Sequence, residues 1–96
     1  MSRDEVLRIL AEHRSEIEAM GVKSIAIFGS TARDEAREDS DVDVLIEFSG
    51  DVGLFEFLDV KAKLEAIIGR EVDLVTDDAL RSRMRPRILK EAVRAI

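Results

Sequence analysis

The chain contains no cysteine, which removes disulfides, thiolate metal sites and cysteine nucleophiles from its chemistry and is compatible with the cytoplasm. It has one histidine, His13, near the apolar stripe of a helical segment, where a lone imidazole reads as structural rather than as a general base. No apolar run approaches the roughly 20 residues that span a bilayer, and Met-Ser-Arg-Asp-Glu-Val does not read as a signal peptide. A cytoplasmic protein with no membrane role is therefore expected. Positive charge is also scarce. Fifteen Lys and Arg stand against 21 Asp and Glu, a net charge of −6, which disfavours strong nonspecific nucleic-acid binding.

What remains is 46% hydrophobic and 38% charged, the balance of a soluble globular protein. At 96 residues one domain is expected over 1–96, with a modest core. The few basic residues are unevenly placed. Arg81, Arg83, Arg85, Arg87, Lys90 and Arg94 oppose only Glu91 over residues 79–96, a net of +5. Such asymmetry marks either a contact surface or a solvated helix face.

The most informative stretch runs from Ile25 to Phe48. An apolar run, Ile25 to Phe28, stops at Gly29-Ser30. Glycine permits close approaches that a β-carbon blocks, so a phosphate could reach the main chain at Gly29. Ser30 is a favoured capping residue, so Ser30-Thr31-Ala32-Arg33 is expected to open a short helix with outward N–H groups. Arg33 could hold a phosphate bidentately or pair with Asp34, Glu38 or an acidic site. A second apolar run begins with Asp41 and Asp43. Two apart on a strand, they share a face with Cα atoms about 6.5 Å apart, while Val42, Val44, Ile46 and Phe48 fill the buried face. Paired carboxylates repel unless a cation lies between them, and Mg²⁺ takes such oxygen ligands together with substrate phosphates. A phosphate-approachable turn facing a carboxylate pair suits metal-assisted phosphoryl or nucleotidyl transfer. Alone, Asp39-Ser40-Asp41 could be a turn and Asp43 a solvent-facing strand residue. A calcium loop matches the opening Asp spacing but fails where Val44 and Gly50 replace the needed Gly and Glu.

Gly29-Ser30, ten intervening residues and Asp41-x-Asp43 resemble the signature of the DNA polymerase β-like nucleotidyltransferases. Phe-Gly-Ser-Thr-Ala-Arg and Asp-Ser-Asp-Val-Asp-Val-Leu are similar to the minimal nucleotidyltransferase (MNT) branch, antitoxins encoded beside HEPN-domain proteins. The likeness continues through Gly-Arg-Glu-Val-Asp-Leu-Val-Thr and Arg-Pro-Arg-Ile-Leu-Lys-Glu-Ala-Val, covering nearly the whole chain. Family members often carry Gly where Asp34 stands. The resemblance implies the polymerase β-like nucleotidyltransferase fold and Mg²⁺-dependent transfer of AMP from ATP, with two ions held by Asp41, Asp43 and Asp73. Gly29, Ser30 and Arg33 would bind the triphosphate. Asp73 would also draw the proton from the acceptor hydroxyl, a Tyr of a HEPN-type ribonuclease toxin being the acceptor the family context suggests. A catalytically silent antitoxin that neutralises its partner by binding is the alternative. An antibiotic-modifying enzyme would need an added helical domain, for which 96 residues leave no room.

The remaining segments read as an α/β (α+β) scaffold. Ser2 to Glu5 forms a capping box ahead of Val6, Ile9, Leu10, His13, Ile17 and Met20 at helical spacing, with Gly21 as the stop. Strands are expected over Ser24–Phe28, from Asp41, and over Arg70–Thr76. Leu54, Phe57, Leu58, Leu64, Ile67 and Ile68 mark a core-facing helix ended by Gly69. In the third strand a lone Asp73 needs compensation, from a shared metal or from a salt bridge to Arg70 or another nearby Arg. Asp77 or Asp78 would cap a turn over Leu80 to Met84, and a last helix from about Pro86 would present Ile88, Leu89, Ala92, Val93 and Ile96. A three-stranded mixed sheet backed by helices follows.

Overall fold

In the computed structural model, which describes residues 2–35, 41–76 and 92–96, the first helix begins where its capping serine places it. Ser2 Oγ accepts the Glu5 N–H at 3.2 Å and starts α1 (Arg3–Glu12). Val6 and Leu10 are fully buried along its inner face. The single helix expected up to Met20 is instead two. His13 leaves helical geometry at φ −105° and ψ 16°, and α2 (Arg14–Glu18) restarts behind it with Ile17 buried. The imidazole Nδ1 donates to the Ile9 carbonyl at 2.9 Å, which gives His13 the structural role expected of it. Gly21 then turns the chain at φ 89°.

The sheet contains β1 (Val22–Phe28), β2 (Val42–Phe48), β3 (Val72–Thr76) and β4 (Val93–Arg94), in the order β3-β2-β1-β4. β1 pairs antiparallel with β2 and β4, while β2 and β3 run parallel. A parallel pair needs a crossover, and α4 (Leu54–Ile68) supplies it. Glu65 on α4 accepts the Val72 N–H at 3.0 Å, and Gly69 ends the helix in the left-handed region at φ 77°.

Strand alternation sorts the side chains as their sequence pattern requires. Ile25, Ile27, Val42, Val44, Ile46, Val72 and Leu74 join Val6, Leu10, Ile17, Val60, Leu64 and Ile68 in the main core. The opposite face holds a smaller cluster of Phe28 and Leu45, with Ala26, Val75 and Ala92 against it. The carboxylates lie on this second face.

Two further expectations are corrected. Val93–Arg94 is a fourth strand rather than part of a helix. It satisfies the otherwise open edge of β1, and Ala95 N–H extends the contact to the Ile25 carbonyl at 2.8 Å. Leu54 and Leu58 are exposed rather than core-facing; Val60, with Leu64 and Ile68, takes the buried stripe of α4. The capping, turn and helix expected over 77–91, including the basic residues Arg81 to Lys90, lie outside the described residues. No described helix is long and apolar enough to cross a membrane.

Candidate active site

β1 ends at Phe28, which lies directly across from Asp43 in the antiparallel ladder. The chain then turns sharply at Gly29, whose φ of 65° favours glycine. A helical turn, α3 (Gly29–Ala32), follows with extended Phe28 in the capping position and Ser30 inside the turn. Ser30 is therefore not the cap expected of it, and no side chain caps α3. The turn closes through Arg33 N–H to the Gly29 carbonyl at 3.2 Å and Glu35 N–H to the Ser30 carbonyl at 2.8 Å.

Gly29 is a glycine because of what packs on it. A β-carbon there would lie 3.1 Å from Cγ of Asp43 and overlap its Oδ2. The close approach anticipated at Gly29 is thus made by a carboxylate.

Asp43 and Asp73 are neighbours in the parallel register of β2 and β3, placed so that one carboxyl can hydrogen-bond the other when a proton is held between them. Asp43 is half-buried, whereas Asp41 and Asp73 are exposed. The Asp43 carboxyl is pushed up from 3.8 to about 6. Burial is the largest cause, followed by the negative charges of Asp73 and Asp41; the hydrogen bond to Asp73 acts in the same direction. Arg33 opposes these effects by favouring the ionised form. Its guanidinium also lies 3.5 Å from Glu35, a partner that the sequence did not single out.

The structure therefore brings Asp43 and Asp73 together, sets Gly29 against Asp43, and leaves Asp41 exposed just ahead of β2. Among the described residues, no three acidic or imidazole side chains are close enough to hold one ion between them. The donor chemistry nonetheless fits Mg²⁺, which commonly takes one or two carboxylates and completes its shell with phosphate oxygens. Repulsion that raises Asp43 is relieved by a cation. Asp73 shows no ion pair with Arg70 among the described residues; its side-chain partner is Asp43.

Two features escaped the sequence reading. Asp34 adopts φ 60°, a conformation suited to glycine, and its Oδ1 accepts the Arg3 N–H at 2.9 Å. The side chain thereby satisfies a donor in the first turn of α1 and ties that helix to the end of the α3 turn. Arg3 Nη1 adds a 3.4 Å bond to the Ala32 carbonyl. The only signal was the departure at Asp34 from the Gly expected of the resembled family. Thr31, at 1% exposure, buries a hydroxyl that finds no hydrogen-bond partner among the described residues.

Comparison with known proteins bears on this geometry. The nucleotidyltransferase domain family matches residues 4–96. The protein adenylyltransferase MntA of Thermococcus cleftensis is 40% identical over 94 residues, covering 97% of this chain and 95% of that protein. A solved chain described provisionally as a minimal nucleotidyltransferase superposes with a TM-score of 0.80 at 38% identity, covering 97% and 95% of the two chains. A solved complex of tri-AMPylated HEPN toxin with MNT antitoxin, from Shewanella oneidensis, contains a chain of the same fold. There the TM-score is 0.65 at 13% identity, over 94% of this chain and 71% of that one.

Proposed function

Because this chain belongs to the nucleotidyltransferase domain family and is a nucleotidyltransferase, we propose that it transfers AMP from ATP to a protein hydroxyl, a Tyr of a HEPN-type toxin, and so acts as an antitoxin. The observation that carries the reading is the Asp43–Asp73 pair on one sheet face, with Asp43 packed on the Gly29 turn and raised to about 6. A carboxylate pair that resists ionisation on its own is suited to a cation-bearing substrate. Likeness to an adenylyltransferase across nearly the whole chain supports AMP as the transferred group.

In this reading Asp41, Asp43 and Asp73 would hold Mg²⁺, as two ions. When bound, Mg²⁺ supplies positive charge that offsets the charge of the triphosphate and of the departing pyrophosphate. Gly29 and Ser30 orient the β- and γ-phosphates through backbone N–H and hydroxyl donors. Arg33 adds a cation at the same end of the sheet. The acceptor oxygen attacks the α-phosphorus, the bond to pyrophosphate breaks, and the hydroxyl proton passes to the Asp73 carboxylate. Asp43, beside Asp73 in the β2–β3 register, would share those ions with it.

Calorimetry with Mg-ATP tests the site. Wild type is expected to bind, and an Asp41→Asn/Asp43→Asn variant to lose most of that affinity while keeping its fold. Equal affinity in both proteins would remove these carboxylates from the site. Pyrophosphate release that depends on added toxin tests the transfer. Toxin neutralised without any pyrophosphate would instead indicate an antitoxin that acts by binding alone.

A further inference from the structure

α4 carries apolar side chains on two faces, and only one is covered. Val60, Leu64 and Ile68 are in the core, but Leu54 is 68% exposed, Phe55 80% and Leu58 45%, with Val52 beside them at 38%. Leu54 and Phe55 stand four and three residues before Leu58, so the three form one stripe at the start of the helix. An apolar cluster of this kind on a small protein marks a contact surface.

Its surroundings define the partner. Asp51, Glu56 and Asp59 rim the stripe and are exposed. Among the described residues, none of these three enters an ion pair. By contrast, Glu12, Glu16, Glu18 and Glu47 are each matched by Arg8, Lys63, Arg14 or Lys23. The acidic rim repels nucleic acid and anionic lipid. Two copies meeting through this face about a two-fold axis would bring the same acids together. A different protein with an apolar strip flanked by Lys or Arg satisfies both features.

We propose that the Val52–Leu58 face is where the protein acceptor docks, an inference that rests on the acceptor being a protein. β2 separates Asp41 and Asp43 from this face by roughly 20 Å, at about 3.3 Å per residue. Docking therefore leaves the carboxylates open to Mg-ATP and to a hydroxyl on another part of the same partner.

The test uses the HEPN-type toxin as probe, with two variants that change only exposed side chains. Phe55→Ser/Leu58→Ser is expected to weaken toxin binding by about tenfold or more. Asp51→Lys/Glu56→Lys/Asp59→Lys should slow association and abolish its acceleration at low salt. Both variants should keep wild-type Mg-ATP affinity, and AMP transfer should show a raised KM for toxin with kcat preserved. Wild-type toxin affinity in both variants overturns the proposal, as does failure of the wild type to bind toxin. Sedimentation showing a wild-type dimer that Phe55→Ser dissolves overturns it in favour of self-association. Docking lost in the variants while even wild type adds no AMP would sink the transfer reading and leave the docking face intact. AMP transfer at wild-type KM in both variants does the reverse.

Discussion

Gly29 lies against the carboxylate of Asp43, close enough that any β-carbon at position 29 would overlap Asp43 Oδ2. The glycine serves two demands at once, a φ of 65° and room for a catalytic candidate. Replacement by Ala should therefore harm the site more than the fold. The left-handed conformation costs a non-glycine residue about 1–2 kcal/mol, a loss visible as a modest fall in melting temperature. Displacement of Asp43 should reduce AMP transfer by about a hundredfold or more, the scale on which small misplacements act. Parallel melting curves and turnover measurements check this. A large stability loss with proportionate activity would make Gly29 a packing residue only.

The raised Asp43 carboxyl predicts a pH dependence of stability without Mg²⁺. Its folded value, about 6, exceeds the ordinary 3.8, so the folded state holds the extra proton between those values. Stability is then greatest below about pH 4 for this group, and falls as pH rises through 6. Asp43→Asn should flatten that decline and be more stable than wild type at pH 7 by about 1 kcal/mol, after discounting for solvent screening. Urea titrations from pH 4 to 8 check the sign. A wild type that gains stability across this range relative to Asp43→Asn would contradict it.

Asp34 allows backbone and side-chain effects to be separated. Asp34→Asn keeps an oxygen for the Arg3 N–H and tolerates φ 60°, so it should be near wild type. Asp34→Gly keeps the conformation and loses the bond, costing a few tenths of a kcal/mol to about 1. Asp34→Ala loses both and should cost about 2 kcal/mol. Chemical denaturation of the three variants checks the ranking, which fails if Ala and Gly are equal.

These particulars show which features were legible in the sequence. The Ser2 start of α1, the Gly69 end of α4 and the alternation in β2 are local. Each rests on one residue's backbone preference or on a period of two, and each matches the structure. The same alternation put Asp43 and Asp73 on the less buried side of their strands, although their register pairing depends on the crossover through α4. What was missed depends on side-chain, backbone and tertiary contacts that residue spacing does not show. His13 breaks a helix whose apolar spacing looked continuous, using its own ring to hold the Ile9 carbonyl. Val93 has helical spacing with its neighbours, yet an open edge on β1 claims it as a strand. Leu54 and Leu58 fit a core stripe in sequence, but the sheet is already covered by Val60, Leu64 and Ile68. Ser30 has the chemistry of a cap, whereas the positive φ at Gly29 shifts the turn one residue earlier.

Intact mass spectrometry of the HEPN-type toxin after incubation with this protein, ATP and Mg²⁺ tests the central claim most directly. Wild type should add AMP mass to the toxin in whole increments, and replacing the toxin's acceptor Tyr by Phe should abolish one increment. Asp43→Asn should still bind the toxin but add none. Toxin neutralised equally by wild type and Asp43→Asn, with no AMP increment from either, would contradict the account.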